Sequence, residues 1–140
     1  NYDLHVNVVG GAHIDGPSAG GAILAAIISA IQGTPLHQDV AITGEVSIRG
    51  QMKPVGGIPE KIYGARQAGL KKVILPKANA NDIPGTLKGI EVVPVDSVGE
   101  MLEQLLTSTL IKGKKSTVNL YGGHSLGKVV GSATSSKTRK

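Results

Sequence analysis

Between Tyr2 and Val9 the apolar residues Leu4, Val6 and Val8 alternate with Asp3, His5 and Asn7, the period-two pattern of a half-buried strand. Gly10-Gly11 ends it. Residues 18–32 are rich in Ala and Ile on most sides and stop at Gly33, which predicts a central, largely buried helix whose first turn presents Ser18. Val40–Ile42 and Glu45–Ile48 read as strands, Gly50 and Pro54 mark turns, and Gln51–Lys53 forms a return strand. Pro59 opens a second helix that runs to about Ala68 and ends at Gly69, with Lys61 in its first turn. Val73–Leu75 and Ile90–Val95 follow as short strands. Ser97 and Glu100 then stand in capping-box spacing before a helix with an apolar face of Met101, Leu102, Leu105 and Leu106. Strands alternating with helices predict an α/β (α+β) domain.

After Lys112 the pattern fades into Gly, Ser, Thr and Lys, so residues 1–110 are expected as the domain and 111–140 as a basic, weakly ordered tail. The chain of 140 residues has material for one domain, burying about 68% of the surface its unfolded chain exposes. Its net charge of +5 is unevenly placed: residues 107–140 carry seven Lys/Arg and no acid, whereas residues 1–106 sum to −2. A basic tail without Phe or Trp offers no stacking platform for single-stranded bases. No specific nucleic-acid partner is expected. The absence of cysteine excludes disulfides, thiol catalysis and Cys-ligated zinc. The longest apolar run, Ala22–Ile31, is too short to span a bilayer, no signal-peptide pattern is present, and Asn1 at the head points to an N-terminally truncated domain. Gly122–Lys128 approaches a phosphate-binding loop, but Val129 replaces the Ser/Thr that would hold magnesium and no strand–loop–helix context surrounds it.

Two residues invite chemistry. Ser18 follows Asp15-Gly16-Pro17, and Lys61, 43 residues later, follows the turn Pro54-Val55-Gly56-Gly57; each is predicted at a helix start. A serine hydroxyl attacks only when a neighbour takes its proton, and a lysine can do so only when neutral. That requires lowering an amine pKa of about 10.4 by about 3 units, which burial and a helix N-terminus both favour. Val55, Ile58 and Ile62 are suitable apolar company. The same residues also suit plain structural duties, Asp15 and Ser18 as helix caps and Lys61 as a solvated first-turn residue. Residue spacing leaves both readings open. His5 and His13 are rival bases near Ser18, His37 and His124 have no motif around them, and no cluster has metal-ligand spacing.

Three ordered blocks carry a resemblance. Asp15-Gly16-Pro17-Ser18-Ala19-Gly20, the run Ala41–Gly50 containing Thr43, and Pro54-Val55-Gly56-Gly57 with Glu60-Lys61 are similar to the proteolytic domain of the Lon family of ATP-dependent serine proteases. Gln67–Lys77 resembles the helix-to-strand passage that follows there, so the likeness runs from Tyr2 to about Leu106. The Asp-Gly-Pro-Ser approach is closer to bacterial, LonB-like forms than to archaeal ones.

The resemblance implies a ribosomal-protein-S-five domain-two-like fold and a Ser18–Lys61 dyad that hydrolyses peptide bonds of unfolded proteins. Thr43 would hold the lysine, and Asp15 would cap the helix or act on the lysine electrostatically. Gly16, Pro17 and Ala19 are the backbone candidates for an oxyanion site. No cofactor is expected in this chain; ATP and Mg are implied for an ATPase module outside it. A homo-hexamer in the cytoplasm is expected by the same analogy. The alternative is a non-catalytic scaffold or binding domain like the Lon-like domain of the RadA recombination ATPase, which Val8-Val9-Gly10-Gly11 resembles. A third use of the fold, anion binding by Gly-rich loops in the sugar and mevalonate kinases, suits a Gly-rich helix start.

Overall fold

The computed structural model describes residues 2–9, 16–106, 116–122 and 125–135. Among these residues, eight strands and three α-helices follow one another as β1 (Tyr2–Val9), α1 (Gly20–Gln32), β2 (Val40–Ile42), β3 (Glu45–Val46), β4 (Met52–Lys53), α2 (Ile58–Gln67), β5 (Lys72–Pro76), β6 (Glu91–Val95), α3 (Val98–Leu105), β7 (Ser116–Gly122) and β8 (Ser125–Ser135). Six strands form one sheet in the order β1-β8-β7-β2-β5-β6, and β3 and β4 make a separate hairpin. The β7-β2-β5-β6 portion is parallel, whereas β1-β8-β7 is antiparallel. This is the mixed α/β architecture that the alternating pattern predicts.

The middle strands explain why their sequences are apolar without interruption. Along β2, Val40 and Ile42 join a cluster with Ala22, Ala25, Ala26, Met101 and Leu105, on the side covered by α1 and α3. Ala41 between them joins Ile58, Ile62 and Ala65 of α2 on the opposite side. β5 repeats the division, with Ile74 facing α1 and Val73 and Leu75 facing α2. A strand covered on both faces needs apolar residues at every position, and each Ile or Leu so buried contributes about 1.5–3 kcal/mol. The alanines of α1 let that helix lie close to the sheet, and Gly33 closes it in a left-handed cap at φ 64°.

At α3 the Ser97 hydroxyl accepts from the Glu100 N–H at 3.2 Å, as its capping-box spacing predicts. The return bond goes one residue further out: the Glu100 carboxylate accepts from the Asp96 N–H at 2.8 Å. The predicted strand Glu45–Ile48 ends early, because Ser47 to Gly50 make the hairpin turn and leave Ile48 fully exposed.

One expectation is corrected. Residues 116–122 and 125–135, read from the sequence as weakly ordered tail, form β7 and β8 and join β1 to β2. In sequence, Val118 and Leu120 do alternate with polar neighbours, but the Gly, Ser and Lys around them dilute the signal. The pairing partners of these strands lie far away along the chain, where local periodicity carries no information. The loop resembling a phosphate cradle spans the β7–β8 connection, with Gly122 opposite Ser125. Its described residues, Gly122 and Ser125 to Lys128, lie in strands and offer no helix N-terminus to a phosphate.

Candidate active site

Ser18 lies in a 3-10 turn, Pro17–Ala19, immediately before α1, one step outside the helix in which the sequence places it. Pro17 fixes φ at the turn's start, and Gly16 precedes it at φ 83°. Neither this turn nor α1 has a side-chain cap. The capping duty that competes with a nucleophilic role for Ser18 is therefore not the one its hydroxyl performs. The Ser18 carbonyl accepts from the Gly44 N–H at 3.0 Å, and the Gly44 carbonyl accepts from the Gly21 N–H at 3.2 Å. These bonds tie the serine turn to the residue that follows Thr43. A Cβ on Gly44 would lie 2.6 Å from Met52 Cε and 3.0 Å from Pro76 Cγ, and its φ of 148° is one that L residues rarely adopt. Glycine is required there.

Thr43 continues β2 by one residue, donating its N–H to the Ile74 carbonyl at 3.0 Å. Strand alternation gives its side chain the face of Ala41, which α2 covers. Thr43 is buried, and its hydroxyl oxygen is the one buried side-chain polar atom without a hydrogen-bond partner among the described residues. An orphaned buried hydroxyl costs about 1–3 kcal/mol, a cost more readily understood at a working site than in a passive core.

Lys61 lies on that same face. Gly57, left-handed at φ 69°, caps α2, and its carbonyl accepts from the Lys61 N–H at 3.1 Å. Lys61 retains 8% of its exposure beside Ile58 and Ile62. Burial holds its amine below the ordinary 10.5, with no contribution from a charged neighbour among the described residues. The ion pairs there belong to other lysines, Lys72 with Glu91 and Lys77 with Asp96.

The topology brings these parts to one end of the sheet. α2 leads from its carboxyl terminus through Ala68–Lys71 into the start of β5, so its first turn lies toward the carboxyl ends of the parallel strands. There Ser18, on the α1 side, is stitched to Gly44, and Lys61, on the α2 side, shares a face with Thr43. Asp15 lies outside the described residues. Of the oxyanion candidates, Pro17 is corrected: a proline has no N–H to donate, which leaves Gly16 and Ala19.

Two of the four histidines can be placed. His37 is exposed near Asp39, Lys71 and Lys72, at the amino ends of the parallel strands. β1, which carries His5, is separated from β2 by two strands. His13 and His124 are outside the described residues. Sequence reasoning also passed over Asn79, a buried residue whose side chain grips the Val55 backbone ahead of α2; a lone Asn in a polar run carries no signal of that contact.

A mixed sheet with a serine turn on one layer and a buried, charge-averse lysine on the other has the parts of a serine–lysine hydrolytic domain. The family model for the Lon protease (S16) C-terminal proteolytic domain matches residues 1–108, and the chain belongs to that family. It is 46% identical over 108 residues to Lon protease 2 of Bacillus subtilis, covering 77% of this chain and 20% of the relative. It is 48% identical over 109 residues to the Lon protease of Brucella suis, covering 74% of this chain and 13% of the relative. Against the archaeal Lon protease of Archaeoglobus fulgidus the identity is 47% over 110 residues, covering 76% and 18%. Bacterial and archaeal relatives thus match alike, and the chain spans at most a fifth of their length. Among the described residues no helix is long and apolar enough to cross a membrane.

Proposed function

We propose that this chain is the peptide-cleaving part of an ATP-dependent Lon-type serine endopeptidase, with Ser18 as nucleophile and Lys61 as base. The observation that carries the assignment is Lys61 itself: a lysine buried without a counter-ion among the described residues, its amine held below its ordinary pKa, on the same face of the sheet as an unpartnered Thr43 hydroxyl. Neutral Lys61 Nζ takes the Ser18 Oγ proton as Oγ attacks the peptide carbonyl. The ammonium then returns a proton to the leaving amine as the C–N bond breaks. Water, deprotonated by the same amine, hydrolyses the acyl-serine and restores both groups. Thr43 Oγ1 orients the amine, and N–H groups of the 16–19 turn receive the developing oxyanion.

Unfolded proteins and short peptides are the proposed substrates, the cytoplasm the proposed compartment, and a homo-oligomer, a hexamer by family analogy, the proposed assembly. ATP and Mg²⁺ are assigned to sequence outside this segment, and no step above passes through them. A fluorophosphonate probe tests the reading: it should label Ser18 in the native chain and fail to label Lys61→Ala. Equal labelling of the two would remove Lys61 as base and favour a scaffold role.

A further inference from the structure

Asn79 sits in the 3-10 turn Lys77–Asp82 that follows β5, and it is 4% exposed. Its Oδ1 accepts from the Val55 N–H at 3.0 Å, and its Nδ2 donates to the Val55 carbonyl at 3.0 Å. One side-chain amide thus satisfies both backbone groups of one residue, as a neighbouring strand would. A second Nδ2 bond, 2.7 Å to Asp82 Oδ2, fixes which way the amide faces. Val55 belongs to the segment Pro54–Gly57 that enters α2, and its side chain packs on the cluster of Ile58, Ile62 and Leu75. Gly57, two residues on, holds the Lys61 N–H.

We propose that Asn79 is a positioning residue for the lysine base: by gripping both backbone groups of Val55 it keeps the 54–57 segment seated over the start of α2 and water away from Lys61. The proposal rests on the serine–lysine reading. It joins the turn after β5 to the loop before α2 through a side chain rather than a strand. A buried amide that spends three hydrogen bonds on a neighbouring loop and a carboxylate is well suited to fixing a loop's position, because each bond lost leaves a buried polar group unsatisfied.

The mechanism is desolvation by packing. Burial is the cause of the Lys61 shift, and Val55 is part of the apolar surface on that face. The charged groups flanking the segment are Lys53 before it and Glu60 in the first turn of α2; on the 77–82 turn, Asp82 meets Asn79 and Lys77 pairs with Asp96 at 3.0 Å. Releasing Val55 admits water, so Lys61 should hold its proton to higher pH and serve less often as base.

The experiment is a titration of Lys61 by carbon NMR of its ε-methylene in the full 140-residue chain, beside the pH profile of peptide turnover. Asn79→Ala and Asn79→Asp should raise the Lys61 pKa. Turnover near neutral pH should fall about tenfold and recover toward the wild-type rate in alkaline solution, as expected when only the neutral fraction has changed. Asp82→Ala, at an exposed position, should shift both readouts the same way by less, and it decides the matter if the Asn79 variants do not fold. The double variant Asn79→Ala/Asp82→Ala should keep the full shift; its return to the wild-type value would mean that a freed Asp82 charge, not loss of the grip, is responsible, and would overturn the proposal. An unchanged Lys61 pKa in folded Asn79→Ala, or a loss of rate equal at every pH, would overturn it too. The NMR titration needs no catalysis, so its failure is distinct from failure of the dyad, which is read from probe labelling of Lys61→Ala.

Discussion

The Ser18 carbonyl and the Gly44 N–H are 3.0 Å apart, so the turn that bears the serine is registered against the end of β2 through backbone alone. Thr43 is the adjoining residue, and the position of the serine therefore depends on a glycine that has no side chain to contribute. Replacing Gly44 by alanine forces a methyl against Pro76 Cγ, which is part of a rigid ring, and against Met52 Cε. Gly44→Ala should lose about 1–3 kcal/mol of stability from strain and clash, with a loss of turnover in the fraction that remains folded. Urea unfolding and an assay at matched folded concentration separate the two effects.

Lys61→Arg keeps the charge and approximate length but cannot give up its proton. It should be as inactive as Lys61→Ala. Substantial turnover by Lys61→Arg would make Lys61 a structural cation and require another base.

The lowered Lys61 pKa fixes the direction of two pH effects. The turnover rate should rise with pH through an apparent pKa below the ordinary lysine value, because the neutral amine is the active form. Stability moves the same way. Between the folded-state pKa and the unfolded value of 10.5, the unfolded chain binds the extra proton, so the penalty for burying Lys61 is full below the folded pKa and vanishes as pH rises past the unfolded one. Lys61→Met should consequently be inactive yet more stable than the wild type at neutral pH, with the advantage shrinking as pH approaches that unfolded value. Denaturation of both proteins across this range checks it.

Thr43→Val preserves shape while deleting the orphaned hydroxyl. Stability should stay level or rise by about 1 kcal/mol, since an unsatisfied buried group is removed. Turnover should fall about 10- to 100-fold without vanishing, the loss of an orienting contact rather than of the base. Unchanged turnover would leave Thr43 a strand residue alone.

Much of this was legible in the sequence because it is written locally. The Gly33 stop, the Ser97 cap and the doubly apolar run at Val73–Leu75 each announce their structure within a few residues. Ser18 and Lys61 stand out only when ordered blocks around them are read together, and Thr43 only through the same blocks. Asn79 and Gly44 were beyond reach for a different reason: their significance lies in what approaches them, Val55 in one case and Met52 and Pro76 in the other. β7 and β8 were missed because a strand's partners, not its own residues, determine whether it is held.

The strand order also dictates a timetable. β1 touches the remainder of the sheet only through β8, and β8 only through β7, so the earliest-made of these eight strands is among the last to find its place in the sheet. Until residues 125–135 have been made, Tyr2–Val9 lacks its β8 partner and waits as an open edge, while α1, β2, α2 and β5 can already assemble around both faces of the parallel strands. Closure over so long a separation is slow, and a chaperone that shields nascent β1 would limit its exposure more than one acting on any later strand of this sheet.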